Sequence, residues 1–298
     1  MERQTFTWGR SGNRIRRTER WLERLWFLGL LLAALILFGT KLGTPPLQDW
    51  SEGTVARVAA EIANAPFETW QWLYPTLAGQ PYHEVPPLLH SLIAAAYKIG
   101  GDTRWMTRLP GAILSAISVP LLYSIGREIF PSRQSAIFSS LIYLTLLPVV
   151  HYGRLALVDG TALCFVILTM WCVLRSRRDF RWSLGVGMGL GLICLTKGIL
   201  LGLSIGAIAV LYLAWDTPRL LTCVYWWLGL LLGIVPGVAW YAAGVLQYGQ
   251  TFVATGIIDQ SLRYLWMPVD RHTGPPWYYL VEIVKFSAPW LLFFPYGL

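Results

Sequence analysis

Long apolar runs interrupted by small clusters of arginine leave this chain few possible folds. Eight stretches read as candidate membrane-crossing helices: 21–43, 109–127, 135–150, 160–175, 182–197, 199–215, 222–244 and 277–297. A helix needs ~20 mostly apolar residues to cross a hydrocarbon core of about 30 Å. In lipid, every backbone polar group must be satisfied within the protein, so such runs form helices and not open sheets. Charge content agrees. Only 13% of the 298 residues are charged, against roughly 25% in a soluble domain. The 16 Trp and 14 Tyr suit the membrane–water interface, where amphipathic rings settle. The expected fold is an all-α polytopic membrane protein with about eight transmembrane helices.

The arginines set the orientation, because lysine and arginine concentrate in cytoplasmic loops. The deciding stretch is "PPLLHSLIAAAYKIGG" (86–101). If it lies in the interface, 14 of the 24 basic residues fall on the cytoplasmic segments 1–24, 127–134, 175–181 and 216–221. If it spans, every later loop inverts and "RSRRDFR" (175–181) faces outward. The first arrangement is the better one. Pro86-Pro87 also fits a helix start, and Gly100-Gly101 a helix end. The resulting organisation is a basic cytoplasmic tail (1–20) and a transmembrane domain (21–298). That domain has a first outer loop at 44–108, carrying interfacial helices, and a second long outer loop at 245–276. No small-residue cleavage pattern follows the first apolar run, so it reads as a retained helix.

Several function classes drop out. The basic clusters sit on short loops without a nucleic-acid motif, so membrane lipids are the expected partner and nucleic acid is not. Cys164, Cys172, Cys194 and Cys223 lie inside apolar runs without a CxxC, which supports neither a disulfide framework nor a thiolate metal site. Gly185, Gly187, Gly189 and Gly191 read as close helix packing. Walker, HxxxH and Ser–His–Asp arrangements are missing from the sequence, which leaves nothing to argue for ATPase, protease or lipase chemistry.

The same topology gathers isolated polar residues on the outer face, where ionisable groups at membrane depth tend to mark function. Asp49 and Ser51 open an amphipathic helix, "DWSEGTVARVAAEI", either as its N-cap or with a carboxylate serving as general base or metal ligand. Arg154 and Asp159 share "HYGRLALVDG". The guanidinium suits a phosphate, and the carboxylate either caps the next helix or belongs to the site. Lys197, between two apolar runs, is a snorkelling side chain or a phosphate anchor. Arg108 stands on the outer side against the positive-inside trend, which points to an anionic partner.

In order, "DWSEGTVARVAAEI", "YPTLAGQPYHEVPPLLHSLIAAAYKIGG", "TRLPGAILSAISVPLLYSIGREIF", "GRLALVDGTALCF" and "GLICLTKGILL" resemble the phospholipid-carrier-dependent glycosyltransferases of family 39. These are the protein O-mannosyltransferase-like and aminoarabinose-transferase-like enzymes of the C-type glycosyltransferase fold. The resemblance runs from about residue 21 to 298. It implies an inverting transfer of a sugar from a polyprenyl-phosphate carrier to a lipid, glycan or protein acceptor, on the non-cytoplasmic face of the plasma (inner) membrane. It further implies Asp49 and Glu52 as the catalytic carboxylates, and Arg108, Arg154 and Lys197 as the donor-phosphate cations. Glu84, His83, Asp159 and Tyr82 fall toward the substrate or a divalent cation, the only cofactor this reading leaves open. Two positions depart from the family pattern. Its adjacent Asp-Glu reads Ser51-Glu52, with Asp49 two residues earlier, and the lysine before Pro-Pro is Val85. Members commonly run longer, with a soluble outer domain, so the expectation is a C-terminally truncated member without that domain. The alternative is a non-catalytic protein that binds or transports polyprenyl-phosphate lipids, or an inactive fragment.

Overall fold

The computed structural model describes residues 12–262 and 277–292. The start of the basic tail, residues 263–276 of the second outer loop and the end of the last expected span lie outside the described residues. Among the described residues, five helices are long and apolar enough to cross a membrane. They are α1 (Gly12–Gly39, apolar from Glu19), α4 (Arg104–Ile129), α7 (Val158–Ser176), α9 (Ile199–Asp216) and α10 (Val224–Tyr248). Between them run α2 (Ser51–Asn64), α3 (Leu88–Gly100), α5 (Arg133–Thr145), α6 (Leu147–Tyr152) and α8 (Ser183–Lys197). After α10 come a short α11 (Gln250–Phe252), a π-helical stretch (Val253–Leu262) and α12 (Tyr278–Ser287).

The other three runs expected to span form shorter helices: α5 with α6 in 135–150, α8 in 182–197, and α12 in the described part of 277–297. The 135–150 run divides into α5 and α6 at Leu146, whose ψ of 127° leaves the helical region. Pro148, two residues on, lacks the N–H that a continuous helix would use there. Helix α8 has 15 residues, about 22 Å at 1.5 Å per residue, and lies between α7 and α10. Helix α3 has 13 residues, too short for a core of about 30 Å. It packs on α2 and α4, as expected of an interfacial helix opening after Pro86-Pro87. It ends at Gly101, whose φ of +76° suits a residue without a Cβ.

Helix α1 shows which surface meets lipid. Leu30, Ala34 and Phe38 are buried against Ala112, Ala116 and Val119 of α4. Its opposite face presents Leu28, Leu32 and Ile36, each about 60% exposed. An apolar sheath of that extent is unfavourable in water and normal in a bilayer.

The alternating glycines of α8 do two jobs. Residues two apart point to opposite sides of a helix. A Cβ on Gly187 would come 2.0 Å from Gly229, and one on Gly191 would come 1.9 Å from the Gly233 carbonyl oxygen, both on α10. A Cβ on Gly185 would meet Cys172 Sγ at 2.6 Å, and one on Gly189 would meet Thr169 Oγ1 at 2.2 Å, both on α7. Helix α8 is therefore clamped backbone-close on both sides. Of the four cysteines, all free, Cys164 and Cys172 are buried as expected, and Cys194 and Cys223 are half-buried.

Candidate active site

Helices α2 and α3 cover one end of the bundle, and the motif residues gather there. The order Gln48-Asp49-Trp50-Ser51-Glu52 makes a tight helix entry. Glu52 and Gly53 donate their N–H groups to the Gln48 carbonyl, and the Gln48 N–H is bound in return by Glu52 Oε2 at 3.1 Å. This reciprocal arrangement works like a capping box. Neither Asp49 nor Ser51 caps the helix, contrary to one of the sequence-based alternatives. Ser51 bonds the Gln48 side chain at 3.1 Å, and Asp49 is exposed.

Glu52 itself is fully buried, and Arg108 is 2% exposed. Arg108 Nε donates to Glu52 Oε1 at 2.8 Å, and Nη2 donates to Oε2 at 2.6 Å. Oε1 also accepts the Ala156 N–H at 2.8 Å. The other Arg108 donors go to the carbonyls of Leu42 (2.9 Å), Pro45 (3.0 Å) and Pro46 (2.9 Å). A guanidinium has five N–H donors, and all five are used inside the protein. In this structure every Arg108 donor and both Glu52 oxygens are engaged within the protein, and Glu52 has no solvent access. Burial alone would raise the Glu52 pKa, but hydrogen bonds from Arg108, Ala156 and Gln48 hold it below the ordinary 4.5. The pair is a joint tying the end of α1, the start of α2, the start of α4 and the 153–157 turn.

Around this joint Arg154, Asp159 and Lys197 stay accessible. Arg154, half-buried on the same turn, reaches the Thr40 carbonyl with one nitrogen. Asp159 lies in the first turn of α7 without capping it, and its carboxylate pairs with Lys197 at the end of α8. Both members of that pair are nearly half exposed. Directly after Lys197, Gly198 (φ +101°) turns the chain into α9. Cys194 and Ile199, on either side of Lys197 in the sequence, line an apolar groove of about 870 Å³ between α8, α9 and α10, while the Asp159 that Lys197 binds lines a separate cavity of about 370 Å³ beside α4 and α7. Cys194, Ile199, Tyr241 and Val245 line the groove near this end, and Leu221 and Trp226 at the far end.

Tyr82, His83 and Glu84 follow a two-residue hairpin, β1 (Thr76–Leu77) with β2 (Gln80–Pro81). Tyr82 is buried, edge-on to His90 at 5.8 Å. The His83 ring is enclosed by Tyr248 (4.4 Å) and Phe252 (5.1 Å), and burial pushes its pKa below 6.5. Glu84 is exposed. Among the described residues, no group of three or more His, Cys, Asp or Glu is arranged to hold a metal ion. Val85, at the expected lysine position, packs in the cluster formed by Val58, Ile62, Tyr82 and Ala94.

Two contributors escaped the sequence. Glu61 of α2 accepts hydrogen bonds from Thr76 Oγ1 (2.6 Å), Ala78 N (2.8 Å) and Gly79 N (3.4 Å), which fixes the hairpin. Tyr74 Oη bonds the Trp240 carbonyl, and Trp240 Nε1 bonds the Leu73 carbonyl, each at 2.8 Å, docking the loop on α10. Only the helical i,i+4 pair Arg57/Glu61 was visible in the sequence, and it reads as a solvated salt bridge.

A bundle of long apolar helices with carboxylates and cations collected at one end defines an all-α polytopic membrane protein. The model of the dolichyl-phosphate-mannose-protein mannosyltransferase family matches residues 84–242, more than half of the chain, and the chain belongs to that family. It is 27% identical, over 93% of its length, to undecaprenyl phosphate-alpha-4-amino-4-deoxy-L-arabinose arabinosyl transferase 1 of Pseudomonas fluorescens, and covers 51% of that protein. The corresponding transferase of Aeromonas hydrophila is 24% identical over 91% of the chain, which covers 49% of it. Among solved structures, ArnT from Cupriavidus metallidurans bound to undecaprenyl phosphate superposes with a TM-score of 0.74 at 20% identity, over 91% of this chain and 50% of that one. The chain spans about half the length of the curated relatives it matches.

Proposed function

We propose that this chain forms the membrane-embedded part of a glycosyltransferase that moves a sugar from a polyprenyl-phosphate carrier to an acceptor on the non-cytoplasmic face, with its N-terminus in the cytoplasm. The observation that carries this reading is the exposed Lys197–Asp159 pair at the α8–α9 junction, two residues before Ile199 on the wall of an apolar groove of about 870 Å³. The groove offers a prenyl tail the contact it needs, and Lys197 offers its phosphate a cation. The names of the relatives, and the lipid bound to the solved neighbour, support the same donor class.

In this reading, the acceptor hydroxyl or amine loses its proton to Asp49, the exposed carboxylate next to the rigid joint. Its lone pair forms the bond to the anomeric carbon. The bond from that carbon to the phosphate oxygen breaks with its electron pair staying on phosphate, and the configuration inverts. Lys197 and the accessible part of Arg154 face the charge that develops there. Such preorganised electrostatics is commonly the largest single term in catalysis. Asp159 holds Lys197 in place before the phosphate arrives. Arg108 and Glu52 act through position alone. Tyr82, His83 and Glu84 wall the acceptor side.

The test is transfer of radiolabelled sugar from a polyprenyl-phosphate-sugar in proteoliposomes. Wild-type protein is expected to transfer, Lys197→Met to lose donor binding, and Asp49→Asn to bind donor without transferring. Full transfer by Asp49→Asn would falsify the assignment of the base. Ser51 and Val85, which depart from the family pattern, favour a second reading, a non-catalytic binder of polyprenyl-phosphate lipids. Lys197-dependent binding with no transfer by wild-type protein would establish that one.

A further inference from the structure

The end of the bundle opposite the candidate active site holds a second cavity, of about 550 Å³, between α1, α4 and α7. Its wall carries five arginines against three glutamates, two positive charges in excess. Two of the glutamates are committed. Glu23 bonds Arg127 (3.1 Å), Arg133 (3.0 Å) and Tyr123 Oη (2.5 Å), and Glu128 bonds Arg175 (2.5 Å) and Arg178 (3.0 Å). Among the described residues, Arg20 and Arg24 face the same cavity, are exposed and have no carboxylate partner.

Polarity changes with depth in a telling way. Phe27, on the wall, is one turn inward from Glu23 and Arg24 on α1. Trp171, also on the wall, is one turn inward from Arg175 on α7. The cavity is therefore charged at its rim and aromatic one turn deeper, like the headgroup–acyl boundary of a leaflet. Trp21 (58% exposed) and Leu25 (59% exposed) flank it on the lipid-facing surface of α1. A diffuse basic surface would show neither the enclosed volume nor the apolar floor.

We infer that this cavity is a binding site for one anionic phospholipid. Its phosphodiester would be held by Arg20 and Arg24, and the start of its acyl chains would lie along Phe27 and Trp171. The Glu23 and Glu128 bridges hold the other arginines in a fixed rim, so the lipid meets an ordered site. The inference does not depend on the proposed transfer reaction, because none of these residues takes part in it.

Native mass spectrometry of the purified chain, with phosphatidylglycerol or phosphatidylcholine titrated into the detergent, tests it. One saturable phosphatidylglycerol adduct is expected, with weaker phosphatidylcholine binding. Each arginine near a headgroup contributes about 1 kcal/mol, so Arg20→Gln with Arg24→Gln should weaken that adduct about thirtyfold. Arg181→Gln with Arg219→Gln removes the same charge elsewhere on this end, from residues with no ion pair among the described residues, and should leave the adduct within about twofold. Equal losses in the two double variants would reduce the site to general surface charge and overturn the proposal. So would a saturable adduct with glycerol phosphate alone, which would make the ligand a soluble phosphate. Unchanged phosphatidylglycerol binding in the Arg20/Arg24 variant would overturn it as well.

Discussion

Glu52→Gln separates a structural carboxylate from a catalytic one. In the wild-type protein, Glu52 is fully buried and accepts four hydrogen bonds between 2.6 and 3.1 Å. Glutamine keeps the shape and loses both the charge and one acceptor. Whichever way the amide turns, its NH2 group faces two N–H donors: Arg108 Nε and Ala156 N on one side, or Arg108 Nη2 and Gln48 N on the other. Arg108, 2% exposed, is left as a buried cation without a counter-ion. Breaking one side of a buried pair in this way costs about 3–5 kcal/mol. The midpoint of SDS-induced or thermal unfolding in detergent at pH 7 should fall accordingly. Replacing both partners (Glu52→Gln with Arg108→Met) should recover part of that loss, because the isolated charge goes with them.

The pH profile carries a second reading of the same variant. The folded Glu52 carboxyl lies below its ordinary 4.5, so its contribution to stability is complete above that value. It is lost as pH falls through the lower folded value. The Glu52→Gln variant should lack this part of the acid-side decline. A variant that unfolds at the wild-type midpoint and yet loses transfer would refute the joint and return Glu52 to chemistry.

Other perturbations address the rest of the molecule. Gly191→Ala should cost about 1–3 kcal/mol in the same unfolding assay, because the new Cβ would sit 1.9 Å from the Gly233 carbonyl oxygen. Gly206→Ala, whose nearest neighbours are Leu190 methyls at 3.6 Å, should be close to neutral. Asp159→Asn removes the counter-ion of Lys197. As the two are nearly half exposed, binding of polyprenyl phosphate, measured by fluorescence titration, should tighten only about two- to fivefold. Glu61→Ala should leave the bundle intact and speed amide exchange at Ala78 and Gly79, whose N–H groups it holds.

What the sequence could and could not convey follows from the range of the forces involved. Spans, the interfacial α3 and the α8 glycine packing are written in local patterns: apolar length, Pro-Pro and Gly-Gly punctuation, a two-residue glycine repeat. The family could be recognised for the same reason, since its motifs are short and ordered. The break at Leu146 is also local, yet apolar periodicity passes straight through it, and only the missing N–H of Pro148 marks it.

The roles within the site are another matter, because they depend on which charges meet. Glu52 and Arg108 are 56 residues apart, and each reads alone as a functional ion facing the outer side. Brought together and buried, they consume each other and three main-chain carbonyls, and neither has capacity left for a ligand. Asp159 and Lys197 are 38 residues apart and also pair, but in the open, where water screens the attraction and a phosphate can compete. Burial therefore divides residues that look equivalent in sequence into a fixed joint and an exchangeable pair. The chemistry proposed for this chain requires both: a joint that does not move when the donor binds, and a cation whose partner can be displaced.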